Sequence, residues 1–441
     1  MGSVIFAANS GNAVLITVFA IGAFAASVAN YFVDKLGWVP RYRSAWRRFP
    51  RELSSFEKEI SWSAKLPIVG PIILRHVSRK LRRDKRVHLL PVGWESPCFW
   101  LRPFLTELIF ALFLSWRFIM LSAEGGFVGA FAPWGIELVF FWLLLCASLV
   151  DLDDYVIPDS FTIPGAVLGI LGAFFFTSAT PLTPTFLPLS LEPGDTTQSA
   201  RAFIVRLLET RRGGGDSLAT TRALFIFFCL IWSFWSAALL DRRFYPRLGI
   251  KKATLIFWRR IARSSLTRVV GFVWILGLAF FFYALKTGDS GNSLTSVDYL
   301  FNSLLGLFVG VVLIWGVRIV GRVALGVEAM GFGDVILTGM IGAYIGWQGV
   351  LIVFFLAPFF GLFFGFIRHF FSSGPQIPYG PFLALATVVY VVFRDEFSES
   401  LASWFEDPIF ILGIGAFGFV ALTLALFTLR CVKAFFRREA N

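Results

Sequence analysis

Two aspartates, Asp151 and Asp334, are the residues of this chain best suited to chemistry. Each stands in a short polar break beside a long apolar run: residues 151–159 read DLDDYVIPD and residues 328–334 read EAMGFGD. A carboxylate at the edge of a membrane is costly to bury, so such a group predicts a functional site. If helices bring the two together, the pair can share one proton and activate a water to attack a peptide carbonyl. The sequence therefore predicts aspartic-protease chemistry in a membrane.

The second polar break is expected to open a helix, with Asp334 at its N-terminus. The helix dipole favours a charged carboxylate at that position. Gly331 and Gly333 lack a Cβ, so the backbone can approach a neighbouring helix or a bound peptide closely.

The first break is expected to end one helix and begin the next. Pro158 fixes its own φ and disfavours helical geometry at the preceding residue, and Asp159 is then placed to cap the following helix. Asp153 and Asp154 fit an ordinary interfacial turn. Asp151 is the acid of this break that we assign to chemistry.

The composition predicts the class of protein to which these carboxylates belong. The 441 residues are 57% hydrophobic and 15% charged, with a mean hydropathy of +0.73, which excludes a soluble globular protein. The apolar runs are about as long as a helix that crosses a membrane, and they lack the alternation of a transmembrane barrel. Backbone polar groups in lipid must be satisfied within the segment, which leaves helices. We predict an all-α polytopic integral membrane protein with about 8–11 transmembrane helices, a GxGD aspartic protease-like bundle.

The net charge of +12 does not indicate nucleic-acid binding, because the Lys and Arg residues cluster in a few loops, as the positive-inside rule requires. The run RHVSRKLRRDKR at residues 75–86 predicts a cytoplasmic loop against a bilayer with anionic headgroups. No metal site is predicted either. The four cysteines (Cys98, Cys146, Cys229 and Cys431) form no CxxC pair, and the three histidines have no ligand spacing.

The apolar runs and charged loops also predict a topology. Spans are expected near 13–33, 104–121, 133–150, 163–176, 223–240, 269–285, 299–320, 335–347, 350–367, 382–393 and 409–429. A Gly-rich connection at 124–126 joins the second span to the third. The basic loop 34–102 is predicted to be cytoplasmic, and helix parity then brings Asp151 and Asp334 to the same side.

The motifs, taken in order, resemble those of the type IV prepilin peptidases, membrane aspartic proteases of the GxGD class. Asp151 and Asp159 have the family's spacing, and residues 328–334 match its Glu-Gly-Met-Gly-x-Gly-Asp element except at Ala329. Further similar stretches are GAYIGWQ at 342–348, IPYGPFLA at 377–384 and LTEL at 105–108, and Asn30 matches an Asn near the end of the first span.

The resemblance implies that Asp151 and Asp334 are the catalytic pair. It implies an endopeptidase of the bacterial cytoplasmic (inner) membrane that cuts the leader of prepilin or pseudopilin-like substrates at the cytoplasmic face, for type IV pili or type II secretion. Weaker candidates for substrate binding or positioning are Gly331, Gly333, Asp159, Glu328 and Glu107. For Glu107 and Glu328, capping or charge neutralisation is an equally good interpretation.

The resemblance also divides the chain. The divisions are 1–33, the first transmembrane helix; 34–102, the basic cytoplasmic loop; 103–176, core helices with Asp151; 177–295, an insertion with an extracytoplasmic loop and two extra helices; 296–393, core helices with Asp334; and 394–441, a C-terminal helix and basic tail.

Two departures from the family bear on cofactors. Many members carry paired CxxC zinc motifs in the first cytoplasmic loop, whereas loop 34–102 has Cys98 alone, so zinc is not expected. Many members also methylate the new N-terminus with S-adenosylmethionine. The sequence shows no independent site for that cofactor, which leaves N-methyltransferase activity open, and the peptidase itself needs no cofactor.

Two alternatives stay open at this point. Asp151 and Asp334 can instead form a proton or cation relay in a transporter, although no inverted repeats support that class. The other alternative is a structural homologue without activity in a pilus or type II secretion assembly.

Overall fold

The computed structural model describes residues 2–37, 62–83, 96–176, 217–239, 265–287, 296–325, 330–371 and 378–405, with single positions at 43, 44, 46, 90, 94, 259, 413 and 420. Every element in this part of the chain is helical. The α-helices are α1 Gly2–Leu36, α2 Val69–Arg83, α3 Leu101–Asp154, α4 Asp159–Phe175, α5 Ser217–Leu239, α6 Ser265–Thr287, α7 Ser296–Leu325, α8 Phe332–Phe371, α9 Gly380–Val392 and α10 Arg394–Phe405, and a 3₁₀ turn, Trp62–Lys65, precedes α2.

The chain divides into two compact units. The first unit comprises Met1–Gly165, Ser178–Pro181 and Ala357–Val388. The second unit comprises Ala166–Thr177, Leu182–Leu356 and Val389–Asn441.

The described helices confirm the predicted all-α membrane class. Five of them are long and apolar enough to cross a membrane, and three more are shorter and apolar. One crossing needs about 20 residues, whereas α3 has 54 residues and the apolar part of α8 has 36. Each of these two is interrupted by a glycine with positive φ, so neither is one straight span. The span predicted near 409–429 lies outside the described residues.

Helix α3 is a helical hairpin that turns at Gly126, where φ is 71° and ψ is 168°. Residues before and after this turn contact each other across the two arms. The Trp134 indole N–H donates to the Leu114 carbonyl at 3.0 Å, and the rings of Phe113 and Phe141 meet edge to face at 5.0 Å. The turn lies within the Gly-rich connection that the sequence predicted between the second and third spans.

Helix α1 packs along the α3 hairpin in the first unit. A Cβ added at Gly22 would lie 3.0 Å from the Ala111 backbone, so glycine permits the close approach of these helices. The Trp142 indole N–H donates to the Ala25 carbonyl at 2.8 Å. This helix pair supports the end of α3, where Asp151 lies.

In the second unit, α7 packs against the first half of α8 through small residues. A Cβ at Gly306 would collide with the Gly342 carbonyl, and a Cβ at Gly342 would collide with the Gly306 carbonyl. The Ser303 hydroxyl donates to the Ala343 carbonyl at 2.6 Å. Small residues of this kind let membrane helices approach backbone to backbone, and here they fix the half of α8 that begins near Asp334.

One element differs from the sequence prediction. The spans expected at 335–347 and 350–367 are joined within α8, which is interrupted at Gly346 with φ 75°, close to the predicted boundary between them. Helix α10 was not predicted, because its sequence is polar. Asp395 and Glu396 in its first turn favour the helix through its dipole.

Candidate active site

Asp151 lies buried in the last turn of α3, with 5% of its surface exposed. The helix ends four residues later at Tyr155, which adopts the left-handed conformation and donates its N–H to the Asp151 carbonyl at 2.9 Å. The Asp151 carboxylate accepts a hydrogen bond through Oδ2 from the backbone N–H of Gly380 at 3.0 Å. Gly380 is the first residue of α9, so this carboxylate lies at a helix N-terminus, where negative charge is favoured.

The turn after Asp151 has the shape that the Ile-Pro-Asp element predicted. Ile157 is buried, and the helix α4 begins at Asp159. The Phe161 N–H donates to the Pro158 carbonyl at 3.2 Å, which closes the first turn of the new helix. Asp159 itself is exposed, unlike Asp151. Its assignment to substrate positioning stays a prediction.

Asp153, two residues after Asp151, is held by two arginines. The Arg43 guanidinium donates to both of its carboxylate oxygens at 3.0 and 3.2 Å, and Arg102 forms a short ion pair with Oδ1. Arg102 also donates to the Leu149 carbonyl at 3.0 Å. Because Arg102 stands at the start of α3 and Asp153 at its end, this cluster ties the open ends of the hairpin together beside Asp151. The sequence treated Asp153 as an ordinary acid of the turn, and neither arginine was singled out.

Glu107 lies in a buried polar cluster between α1, α3 and the turn before α2. One carboxylate oxygen accepts the Asn30 amide N–H at 3.2 Å and the other accepts the Ile68 backbone N–H at 2.5 Å. The Thr106 hydroxyl donates to the Asn30 side chain at 3.1 Å. Ile68 has φ 65°, a strained value for a β-branched residue, so Glu107 secures a turn that the backbone alone disfavours. Both of its oxygens are engaged within the chain, and a role toward substrate stays a prediction.

Asp334 lies in the first turn of α8, where the Gly331 to Asp334 element predicted a helix start, and 9% of its surface is exposed. A Cβ at Gly331 would stand 3.4 Å from the Asp334 Oδ2, an ordinary contact distance. The Thr338 hydroxyl donates to the Asp334 carbonyl at 2.7 Å, one turn into the helix. The Arg318 guanidinium lies 5.6 Å from the centre of the Phe332 ring and so links α7 to this helix start. Glu328 lies outside the described residues.

Asp151 belongs to the first unit and Asp334 to the second, and each is described within its own unit. Both carboxylates lie at the end of an apolar helix, as the sequence predicted, and both are buried. Their approach to a common water stays a prediction.

The described residues contain no group of three His, Cys, Asp or Glu side chains that could hold a metal ion. The thiols of Cys98, Cys146 and Cys229 are free. That zinc is not expected and that the peptidase needs no cofactor both stay predictions.

The hairpin also contains a charged pair that the sequence prediction missed. The Arg117 guanidinium donates to both carboxylate oxygens of Glu137 at 2.5 and 2.8 Å, and Glu137 is fully buried. A signal was present: the two residues have opposite charge, and they lie at similar distances before and after the glycines at 125 and 126. An isolated charge in hydrocarbon is costly, so pairing across a predicted turn is the arrangement to expect.

Comparison with known proteins finds a family match over part of the chain. The model of the type IV leader peptidase family matches residues 266–366, which include nearly all of α6, all of α7 and α8 as far as residue 366. These residues contain Asp334 and its two glycines. The resemblance to the type IV prepilin peptidases that the motifs predicted is therefore confirmed over this part of the chain.

Individual proteins with a similar sequence are also found. The chain is 32% identical over 112 residues to a prepilin leader peptidase/N-methyltransferase of Aeromonas salmonicida, which is 24% of this chain and 37% of that protein. It is 33% identical over 112 residues to the protein of that name from Stutzerimonas stutzeri, covering 25% and 39%. The chain thus spans less than half the length of the curated relatives it matches. No solved structure matches it significantly.

Proposed function

We propose that this chain is a membrane-embedded aspartic endopeptidase that removes the leader from type IV prepilin or pseudopilin-like proteins. The observation that carries the proposal is the family match over residues 266–366, because it contains a buried Asp334 at the start of α8, preceded by Gly331 and Gly333. The second carboxylate is Asp151, which is buried at the end of α3 and held by an amide.

The proposed mechanism is general acid–base hydrolysis by Asp151 and Asp334 acting as a pair. One carboxylate, ionised, takes a proton from water, and the oxygen of that water bonds to the scissile carbonyl carbon. The other, protonated, donates its proton to the carbonyl oxygen. When the tetrahedral intermediate collapses, the C–N bond breaks and the leaving nitrogen takes a proton from the first carboxyl group. The second carboxylate takes back a proton from a hydroxyl group of the intermediate as the C=O bond re-forms, so both groups return to their starting states. The pair titrates as a unit.

The proposal includes a location. Positive-inside logic puts both aspartates at the cytoplasmic face of a bacterial inner membrane, where a leader would be cut. Prepilin-like proteins are then the substrates, and anionic lipids contact the basic loops. An accompanying N-methyltransferase activity stays open.

The test is cleavage of a leader-bearing pilin by membranes that contain the wild-type chain, Asp151→Asn or Asp334→Asn. Each substitution removes one half of the acid–base cycle, so each is expected to lower the cleavage rate by about 1,000-fold while the protein still accumulates. Asp154→Asn, in the same turn as Asp151, is the control and should cleave normally. Retained cleavage in either variant would remove that aspartate from the site. A wild-type chain that fails to cleave the pilin but conducts ions in vesicles would favour the transporter alternative.

A further inference from the structure

Three sequence elements of the first unit meet at Gly380. Asp151 lies in the last turn of α3, Ile157 belongs to the Ile-Pro-Asp turn, and Gly380 begins α9 within the Pro-Tyr-Gly-Pro stretch. The Gly380 N–H donates to the Asp151 Oδ2 at 3.0 Å although the two residues are 229 positions apart. Both are buried.

The reason for a glycine at position 380 is space. A Cβ at this position would lie 2.7 Å from the Asp151 Oδ2 and 3.2 Å from the Ile157 Cδ1. Real Cβ atoms essentially never approach another heavy atom as closely as the first of these distances. Gly380 does not have a positive φ, so its backbone conformation does not require a glycine. Any other residue would displace the carboxylate or the helix start.

The first turn of α9 directs this N–H outward. Pro381 has no N–H, and the N–H groups of Phe382 and Leu383 both donate to the Tyr379 carbonyl. The Gly380 N–H is thus directed at the Asp151 carboxylate, and α9, with 13 residues, adds its dipole to the interaction. When a backbone amide holds one carboxylate oxygen, it fixes the orientation of the whole planar group, and so also the position of the second oxygen.

We propose that Gly380 is a positioning residue of the peptidase: its N–H orients the Asp151 carboxylate and its missing side chain gives that carboxylate room. The proposal rests on the proposed function, since the orientation matters for proton transfer between Asp151 and water. Misplacement of a catalytic group by about 1 Å can cost about 100-fold in rate. Gly380 acts through Asp151 and need not contact substrate.

The first arm of the test is Gly380→Ala, with Gly361→Ala as its matched control. Gly361 lies on α8 and also faces α9, but a Cβ there would meet Phe382 at 3.6 Å, an ordinary contact. For a purified chain and a leader-bearing pilin reporter, Gly380→Ala should lower kcat by about 100-fold with little change in KM. Gly361→Ala should match the wild type. Equal kcat in Gly380→Ala and the wild type would overturn the proposal, and so would an equal loss in Gly361→Ala.

The second arm removes the N–H without adding an atom near Asp151. Cell-free translation with glycolic acid at position 380 replaces the amide by an ester, so the chain keeps its space and loses the donor. Loss of a hydrogen bond to a charged group should lower kcat by about 10- to 100-fold, even if Gly380→Ala fails to fold. An ester variant with wild-type kcat would contradict the orienting role of the N–H.

A readout independent of cleavage separates this inference from the proposed function. Labelling of Asp151 by a hydrophobic carbodiimide, followed by mass spectrometry, should increase in the ester variant because its Oδ2 is no longer held. Unchanged labelling would overturn the inference whatever the activity. If the wild type does not cleave the pilin, the proposed function fails, and the labelling result still decides the contact between Gly380 and Asp151.

Discussion

At the scale of single residues, the carboxylates near the end of α3 differ in their surroundings, and this difference favours different roles. Asp151 faces a backbone amide and is buried, whereas Asp153 is neutralised by Arg43 and Arg102. Both carboxylate oxygens of Asp153 are engaged by these arginines, whereas the Oδ2 of Asp151 accepts a backbone N–H. Charge-assisted hydrogen bonds are also stronger than neutral ones, so this pairing anchors the turn on which Asp151 stands.

Asp153→Asn and Arg102→Gln should each lower the free energy of unfolding by about 2 kcal/mol, since each breaks a partly buried hydrogen bond between charged groups. The double variant should lose less than the sum of the two, because the partners interact directly. Thermal unfolding in mild detergent measures all three. The folded fraction of Asp153→Asn should still cleave the pilin, in contrast to Asp151→Asn. Additive losses would show that Arg102 and Asp153 are not coupled.

At the scale of helices, glycines determine where α3 turns and where α7 and α8 meet. The sequence located the α3 turn because Glu124-Gly125-Gly126 interrupts an apolar run, and it located the start of α8 from the Gly331 to Asp334 element. These signals are local. The Asp151 to Gly380 contact could not be read in the same way, because it depends on which helices become neighbours in the fold.

The α7–α8 contact predicts a contrast between two glycines of the second unit. Gly342→Ala would push a methyl group into the Gly306 carbonyl, so overpacking should cost about 1–3 kcal/mol of unfolding free energy. Gly271→Ala, on α6, meets nothing within 4 Å and should be neutral or stabilising by up to about 1 kcal/mol, because alanine favours a helix. Unfolding of the two variants in mild detergent measures this difference. Equal stability would mean that α7 and α8 pack less closely than described.

At the scale of the whole molecule, charge distribution predicts which loops share a side of the membrane. The basic loops 34–102 and 242–268, the C-terminal tail and both aspartates are expected on the cytoplasmic side. The segment 177–222 carries several arginines, and a count of charge alone would keep it inside. Long loops translocate largely regardless of their charge, however. The predicted number of spans between Asp151 and Asp334 then puts this segment outside.

Single-cysteine labelling in a chain without Cys98, Cys146, Cys229 and Cys431 tests this topology. Gly214→Cys, in the segment 177–222, should react with an impermeant maleimide in intact cells. Arg79→Cys, on the exposed side of the basic helix α2, should react only after the membrane is opened, because its loop is predicted to be cytoplasmic. If Gly214→Cys is also protected until the membrane is opened, the number of spans between the two aspartates is wrong. The Asp151 and Asp334 pair then requires a neighbouring helix to re-enter the membrane without crossing it, so that both carboxylates still face the same side.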